Sequence, residues 1–287
     1  MRNEMLFPRS QAPAWERGDG DWERGEVRNE MLSILTLNLR FGLAADGHNN
    51  WIYRKKAYPL LFEIYQPDFI AFQEANDFQS DFLKEILPGY KMIGKRSPAP
   101  LFWQNNLIFY KSGWECTLSD HFFLSPTPSV PSRSRSSVWP RQCTLGIFKN
   151  AGHQVICVST HFDFDARVQT ESAVIIMDRL SQLPSDIPAL IAGDFNSTPY
   201  SPCHKVFTGE NQVLPPRSLY FKNAFKKPFP GTFHGFTGKA GDPIDWILYR
   251  GSLIPEIAEV IQNMPDGIYP SDHFPVHAAF RWGEKFL

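Results

Sequence analysis

The chain has 287 residues, 43% hydrophobic and 21% charged, with 29 basic against 30 acidic side chains and a formal net charge of −1. That balance is ordinary for a globular protein and lacks the global basic field of proteins that coat nucleic acid non-specifically. No apolar stretch reaches the roughly 20 residues of a membrane span, and the length suits one large domain or at most two small ones.

The first thirty residues differ from the rest. RNEML occurs at 2–6 and again at 28–32, and WERG at 15–18 and 22–25. Short duplications without hydrophobic periodicity predict an appended, disordered segment over 1–30, with Met31 a candidate start of the natural chain and 31–287 the folded domain. The N-terminus also lacks the apolar core of a signal peptide. Cys116, Cys143, Cys157 and Cys203 show no C-x-x-C spacing. Neither a disulfide framework nor a zinc site is expected, and the expected location is a reducing cytoplasm.

From Met31 the pattern becomes regular. MLSILTLNLR (31–40) reads as a strand, 53–66 as a helix weakened or kinked at Pro59, and PDFIAFQE (67–74) as a short buried strand. Residues 76–87 place Phe78, Phe82 and Ile86 at helical spacing. Residues 106–111, 143–149 and 153–163 read as strands, and 166–183 as the clearest helix, with Ala173, Ile176, Leu180 and Leu183 on one stripe. The strand IPALIAG (187–193) is expected to stop at Gly193; 243–250 and 273–280 close the series. Several neighbouring strands lack a helix between them, which predicts an α/β fold with mixed sheets.

Two loops interrupt this order. Residues 124–142 are rich in Pro and Ser with three arginines, and suit either disorder or function. Residues 211–243 hold phenylalanines at 221, 225, 229 and 233, but Pro228, Pro230 and Gly231 forbid one continuous helix.

The chemistry lies where strands end. Asn38, Glu74, His161, Asp194 with Asn196, Asp245, and Asp272 with His273 each follow or sit within an apolar run. A buried polar residue is costly unless paired or bound, and simple turns do not account for six strands ending this way. Carboxylates and amides without cysteines suit a hard cation, Mg²⁺ or Mn²⁺, and phosphate oxygens. The histidines would then supply proton transfer or charge stabilisation.

LNLR, FQE, STHFD, GDFN, IDWIL and SDH, in this order over about residues 31–282, resemble the endonuclease/exonuclease/phosphatase superfamily, whose members include deoxyribonuclease I-like and exonuclease III-like enzymes. The resemblance implies a four-layer sandwich, two mixed β-sheets face to face with helices outside, and a metal-dependent site at one end. It implies Glu74 as main metal ligand with Asn38 and Asp272 beside it. Asp194 would orient or deprotonate the attacking water, and Asn196 would hold a phosphate oxygen. His273, oriented by Asp245, would bind the phosphate or act as base, and His161 would contact the phosphate or leaving group. Arg141 is a candidate site-facing cation. Asp163 remains ambiguous, and Arg167 reads as a surface residue. In the chain's own residues, Asp194 and Asn196 are expected to share one face of an extended segment.

Substrate is less legible. The residues after Glu74 lack the lysine typical of AP endonucleases, no signal peptide supports a sphingomyelinase, and the context of GDFN differs from that of inositol phosphatases. GDFNSTPYSP with TFHGF and PIDWIL looks closest to a bacterial, deadenylase-like branch. Residues 218–239 interleave Lys222, Lys226, Lys227, Lys239 and His234 with aromatics, which suits stacked bases beside a phosphate backbone or, equally, a loop pinned to the core. The leading expectation is a monomeric phosphodiesterase or nuclease acting on a phosphoester such as single-stranded nucleic acid, with His234 and Arg141 as substrate contacts. A small-molecule or lipid phosphohydrolase is the alternative. A catalytically silent binding module would show a broken motif set, and none of the main positions is substituted.

Overall fold

The computed structural model describes residues 31–210, 220–263 and 267–284. The duplicated segment 1–30 and part of the second long loop, 211–219, lie outside the described residues.

Two strand pairs in an otherwise antiparallel scaffold run parallel, and each is joined by a helical crossover. Strand β1 (Met31–Asn38) passes through α1 (Trp51–Arg54) and α2 (Ala57–Ile64) to its parallel neighbour β2 (Phe69–Ala75). Strand β7 (His153–His161) passes through α4 (Ala166–Ser181) to its parallel neighbour β8 (Ala189–Asp194). Parallel neighbours require such a crossover, since a tight hairpin cannot reverse the chain twice.

Antiparallel strands flank each pair. The remaining elements are α3 (Asp77–Ile86), β3 (Tyr90–Ile93), β4 (Asn105–Lys111), β5 (Glu115–Phe123), β6 (Gln142–Asn150), α5 (Pro202–Thr208), β9 (Lys222–Asn223), β10 (Asp245–Arg250), β11 (Leu253–Val260) and β12 (Val276–Trp282). One six-stranded sheet has the order β11-β12-β1-β2-β4-β3, the other β5-β6-β7-β8-β10-β9. Between them lies an apolar layer that includes Ile34, Phe69, Phe148, Leu190, Ile247 and Phe280. On the outer faces, α1–α3 cover one sheet through Trp51, Tyr58, Leu61 and Leu83, and α4 and α5 cover the other through Ile176, Leu180 and Phe207. Central strands buried on both faces explain the near-continuous apolar runs of the sequence. The expected four-layer α/β sandwich is the observed architecture.

Local differences have local causes. The predicted helix 53–66 divides at Lys55–Lys56, so Pro59 falls in the first turn of α2, where its missing N–H is harmless. Pro202 opens α5 at its N-terminal turn, where its fixed φ suits the helix. Gly193 does not stop β8. It pairs with Thr160 and Trp246, and the strand runs on through Asp194. A Cβ at Gly193 would lie 2.0 Å from the Thr160 carbonyl oxygen, so the glycine permits close approach of β7. Edge strands β5 and β11 were not legible, because their burial is patchy and their composition partly polar.

The topology gathers the polar strand ends. Strands β1, β2, β7 and β8 end at one edge of the sandwich, and antiparallel β10 and β12 begin there. This crevice at the carboxyl ends of parallel strands is the usual ligand position in α/β sheets.

Candidate active site

Glu74 reaches the crevice through a local defect. The β2–β4 register shifts between Phe72 and Ala75, and Glu74 takes a left-handed φ of 58°. An extra residue in one strand turns a side chain that would otherwise follow the pleat. Arg40 (φ 58°) and Asn196 (φ 48°) are also left-handed. Such backbones cost about 1–3 kcal/mol each and concentrate at functional sites. The extended segment expected from Asp194 to Asn196 is therefore absent: the chain turns at Asn196, whose N–H donates to Asp194 Oδ1 at 2.8 Å.

Asp194 lies at the centre, 1% exposed. Its Oδ2 accepts from Asn38 Nδ2 at 2.9 Å and lies 3.5 Å from His161 Nε2 and 3.8 Å from His273 Nε2. Asn38 Nδ2 also donates to Glu74 Oε1 at 3.1 Å, while its oxygen accepts the Arg40 N–H. Glu74 Oε2 accepts the Phe41 N–H at 2.5 Å. Asn38 thus ties the first carboxylate to the central one. Asp272 Oδ2 lies 3.7 Å from Arg40 Nε, and the same guanidinium grips Asp46 through two 2.9 Å hydrogen bonds.

The two histidines sit in opposite electrostatic settings. Burial would lower the pKa of His273, but the carboxylates of Asp245, Asp194 and Asp272 reverse the sign and hold it well above the usual value. Its Nδ1 hydrogen-bonds Asp245 Oδ2 at 2.9 Å. His161 is driven the other way, by burial and then by the charges of Arg141 and His273. Its Nε2 lies 3.0 Å from Asn196 Nδ2, an amide donor that it accepts from when that ring nitrogen carries no proton. Burial raises the Asp194 pKa against the lowering effect of His273, so this carboxyl is a better proton acceptor than an exposed one.

Of the predicted residues, the crevice holds Asn38, Glu74, His161, Asp194, Asn196, Asp245, Asp272 and His273. Both Nδ2 hydrogens of Asn196 are engaged, by His161 and the Phe162 carbonyl. Arg141 also reaches the crevice, with Nη1 3.2 Å from His161 Nε2 and Nε 3.4 Å from Asp163 Oδ2. Asp163 is buried and held ionised: burial raises its pKa, but the Ser137 hydroxyl, the Asp165 N–H and Arg141 outweigh that. These contacts order the end of the Pro/Ser-rich loop. Arg167 is exposed, as expected of a surface residue.

His234 is placed elsewhere. Its ring stacks 4.0 Å from Phe274 and 4.6 Å from Tyr269, and its Nε2 is buried without a partner. A substrate cannot reach that atom, and the His234 and Gly235 N–H groups instead hold the Asp272 carbonyl. Within 218–239, Phe221 is in the core, and Phe225 and Phe229 line a shallow cleft against Trp246. These rings pin the loop, while Lys222, Lys226, Lys227, Lys239 and Phe233 are among its exposed residues.

Arg40 and Arg54 were missed. Arg54 is 1% exposed and donates to the carbonyls of Leu39, Arg40, Asn49 and Pro270, fastening the loop after β1 to the segment before Asp272. An arginine in a short amphipathic helix reads as surface in sequence, so no signal marked it.

The donor set suits a cation. Glu74, Asp194, Asp245 and Asp272 bring four carboxylates to one crevice, and the buried Asp245 Oδ1 has no partner. Asp194, Asp245 and His273 place ligand atoms within 4.8 Å of one another, a buried group that can hold a metal ion. Oxygen donors of this kind favour a hard divalent ion.

Comparison with known proteins agrees with this geometry. Residues 35–273 match the model of the Endonuclease/Exonuclease/phosphatase family. The crystal structure of an endonuclease/exonuclease/phosphatase from Bacteroides vulgatus is 26% identical, with a TM-score of 0.78 over 88% of this chain and 99% of that one. The mannosyl-6-phosphatase of Bacteroides thetaiotaomicron is 25% identical, with a TM-score of 0.77 over 88% and 100%. An uncharacterised protein of Acanthamoeba polyphaga mimivirus is 27% identical over 184 residues, 58% of this chain and 67% of its own length. With the family model matched over residues 35–273, the chain belongs to the endonuclease/exonuclease/phosphatase family.

Proposed function

We propose that this protein is a Mg²⁺- or Mn²⁺-dependent hydrolase of phosphoesters that acts as a phosphodiesterase or nuclease by in-line attack of water. The observation that carries this reading is the buried Asp194 Oδ2 set 3.5 Å from His161 Nε2 and 3.8 Å from His273 Nε2, the first imidazole driven toward its neutral form by burial and the second toward its charged form by the surrounding carboxylates. Glu74 would hold the ion, with Asp272 and Asn38 beside it, and the bound ion would supply Lewis-acid neutralisation of the phosphate oxygens. His273 in the protonated state is a poor metal ligand, which favours the Glu74 side of the crevice over the Asp194–Asp245–His273 group.

The remaining roles belong to the chain's own residues. Asp194 orients the attacking water and takes its proton, since an already protonated His273 cannot act as base. The His273 Nε2–H donates to a phosphate oxygen and steadies the charge that develops there. Asp245 holds the imidazole orientation and its charge. Asn196 turns one N–H from His161 to the phosphate. Four unpaired cysteines support a reducing, cytoplasmic setting.

A second reading, a phosphomonoesterase acting on a phosphorylated sugar, is favoured by the similarity to the mannosyl-6-phosphatase. Turnover of bis-p-nitrophenyl phosphate and of short single-stranded DNA and RNA, against p-nitrophenyl phosphate and phosphorylated sugars, separates the two. Hydrolysis of monoesters alone would contradict the diesterase reading.

A further inference from the structure

The floor of the crevice is polar, but its rim is not. Phe102, Trp139, Phe164, Tyr200 and Phe233 are exposed, and all lie on loops at the edge where the site residues gather. Among the described residues, no loop at the opposite edge carries an exposed large apolar side chain. Scattered exposed rings need no explanation, but their collection at one end of a sandwich does.

Phe164 is the ring coupled to the catalytic floor. It is 76% exposed, and its ring centroid lies 5.6 Å from the Arg141 guanidinium carbon. Arg141 itself is 8% exposed and fixed on two sides, by Asp163 and by the His161 imidazole. Asp163 is fixed in turn by the Ser137 hydroxyl, so the guanidinium has little freedom to swing. Its Nη2 has no partner among the described residues and is not sealed from solvent. A rigid cation with one open N–H edge beside a phosphate-binding floor suits a non-bridging phosphate oxygen. An exposed ring over that cation offers a flat face to whatever the phosphate is attached to.

We propose that Arg141 and Phe164 form the subsite that recognises the organic group of the substrate, and that this group carries a ring. Arg141 takes a phosphate oxygen through Nη2, and Phe164 stacks on the ring of a nucleotide or a sugar phosphate. An acyclic phosphoester engages Arg141 alone. The proposal rests on the phosphoesterase reading above, but it assigns the discrimination to a pair outside the metal and proton-transfer residues.

The test compares kcat/KM for a short single-stranded oligodeoxynucleotide, a hexose 6-phosphate and an acyclic glycerol phosphoester of matching type (diglyceryl phosphate for diester turnover, glycerol 3-phosphate for monoester turnover), with Mg²⁺ or Mn²⁺, for the native enzyme, Phe164→Ala, Phe164→Trp and Arg141→Lys. Losing one stacked ring is worth about tenfold or more in binding. Phe164→Ala is expected to lower the ratio of ring to glycerol substrate by about that factor, mainly through KM, and Phe164→Trp to restore it. Arg141→Lys, which keeps the charge but loses the planar edge, is expected to raise KM for all three. The ring substrate that turns over identifies its source, nucleotide or sugar. An equal effect of Phe164→Ala on all three substrates, or none, overturns the subsite while leaving the phosphoesterase reading intact. Absence of turnover by the native enzyme on any phosphoester removes that reading and the subsite with it.

Discussion

Asp245 Oδ2 lies 2.9 Å from His273 Nδ1, and both side chains are buried, Asp245 at the start of β10 in one sheet and His273 just before β12 of the other. The carboxylate fixes which imidazole nitrogen faces Asp194 and helps keep the ring protonated. This pairing makes His273 a donor and leaves proton acceptance to Asp194.

Asp245→Asn retains a hydrogen-bond acceptor for Nδ1 but removes the charge. Activity is expected to fall by about 10²-fold or more. The sign of the pH effect follows from the linkage. Asp245 raises the His273 pKa, so its loss lowers that pKa, and the alkaline limb of the kcat/KM profile should move to lower pH. An unmoved limb would place the essential proton elsewhere.

Gly193→Ala is expected to destabilise the fold by about 2–4 kcal/mol, because its Cβ would meet the Thr160 carbonyl at 2.0 Å across two paired strands. Urea unfolding at pH 7 measures it. A change below about 0.5 kcal/mol would show that β7 and β8 have room to separate.

His204 provides a stability test remote from the crevice. Its ring packs 5.0 Å from Trp246, and burial pushes its pKa down to about 4. A histidine that binds its proton less readily when folded than when unfolded contributes stability above about pH 6.5, and loses it as pH falls toward 4. Near pH 5 the loss is about 2 kcal/mol for this one group. His204→Asn should therefore reduce the fall in unfolding free energy between pH 7 and pH 5 by about that amount. An unchanged slope would contradict the assignment.

What the sequence disclosed and what it hid have physical reasons. Asn38, Glu74, His161 and Asp194 were legible because each closes an apolar run that should otherwise be core. Their convergence needed only the expectation that parallel strands end at one edge. Arg54 was hidden because a buried cation satisfied by carbonyls leaves no periodic mark, and half-buried Arg40, set against Asp46 and Asp272, leaves none either. His234 misled because histidine among lysines resembles a phosphate contact, whereas the rings of Phe274 and Tyr269 enclose it. The turn at Asn196 was misjudged because Asn tolerates left-handed φ without a glycine to announce it.

The central claim is hydrolysis of phosphoesters by a divalent ion held at Glu74, and metal removal tests it most directly. The native protein, Glu74→Ala and His273→Ala are stripped with EDTA and assayed on bis-p-nitrophenyl phosphate and p-nitrophenyl phosphate during titration with Mg²⁺ or Mn²⁺. The predicted result is no turnover by the stripped protein and recovery on titration. Glu74→Ala should fail to recover at the same metal concentration, and His273→Ala should be about 10²-fold slower or worse even when saturated. Full turnover in EDTA, or a Glu74→Ala variant that recovers completely, would contradict the account.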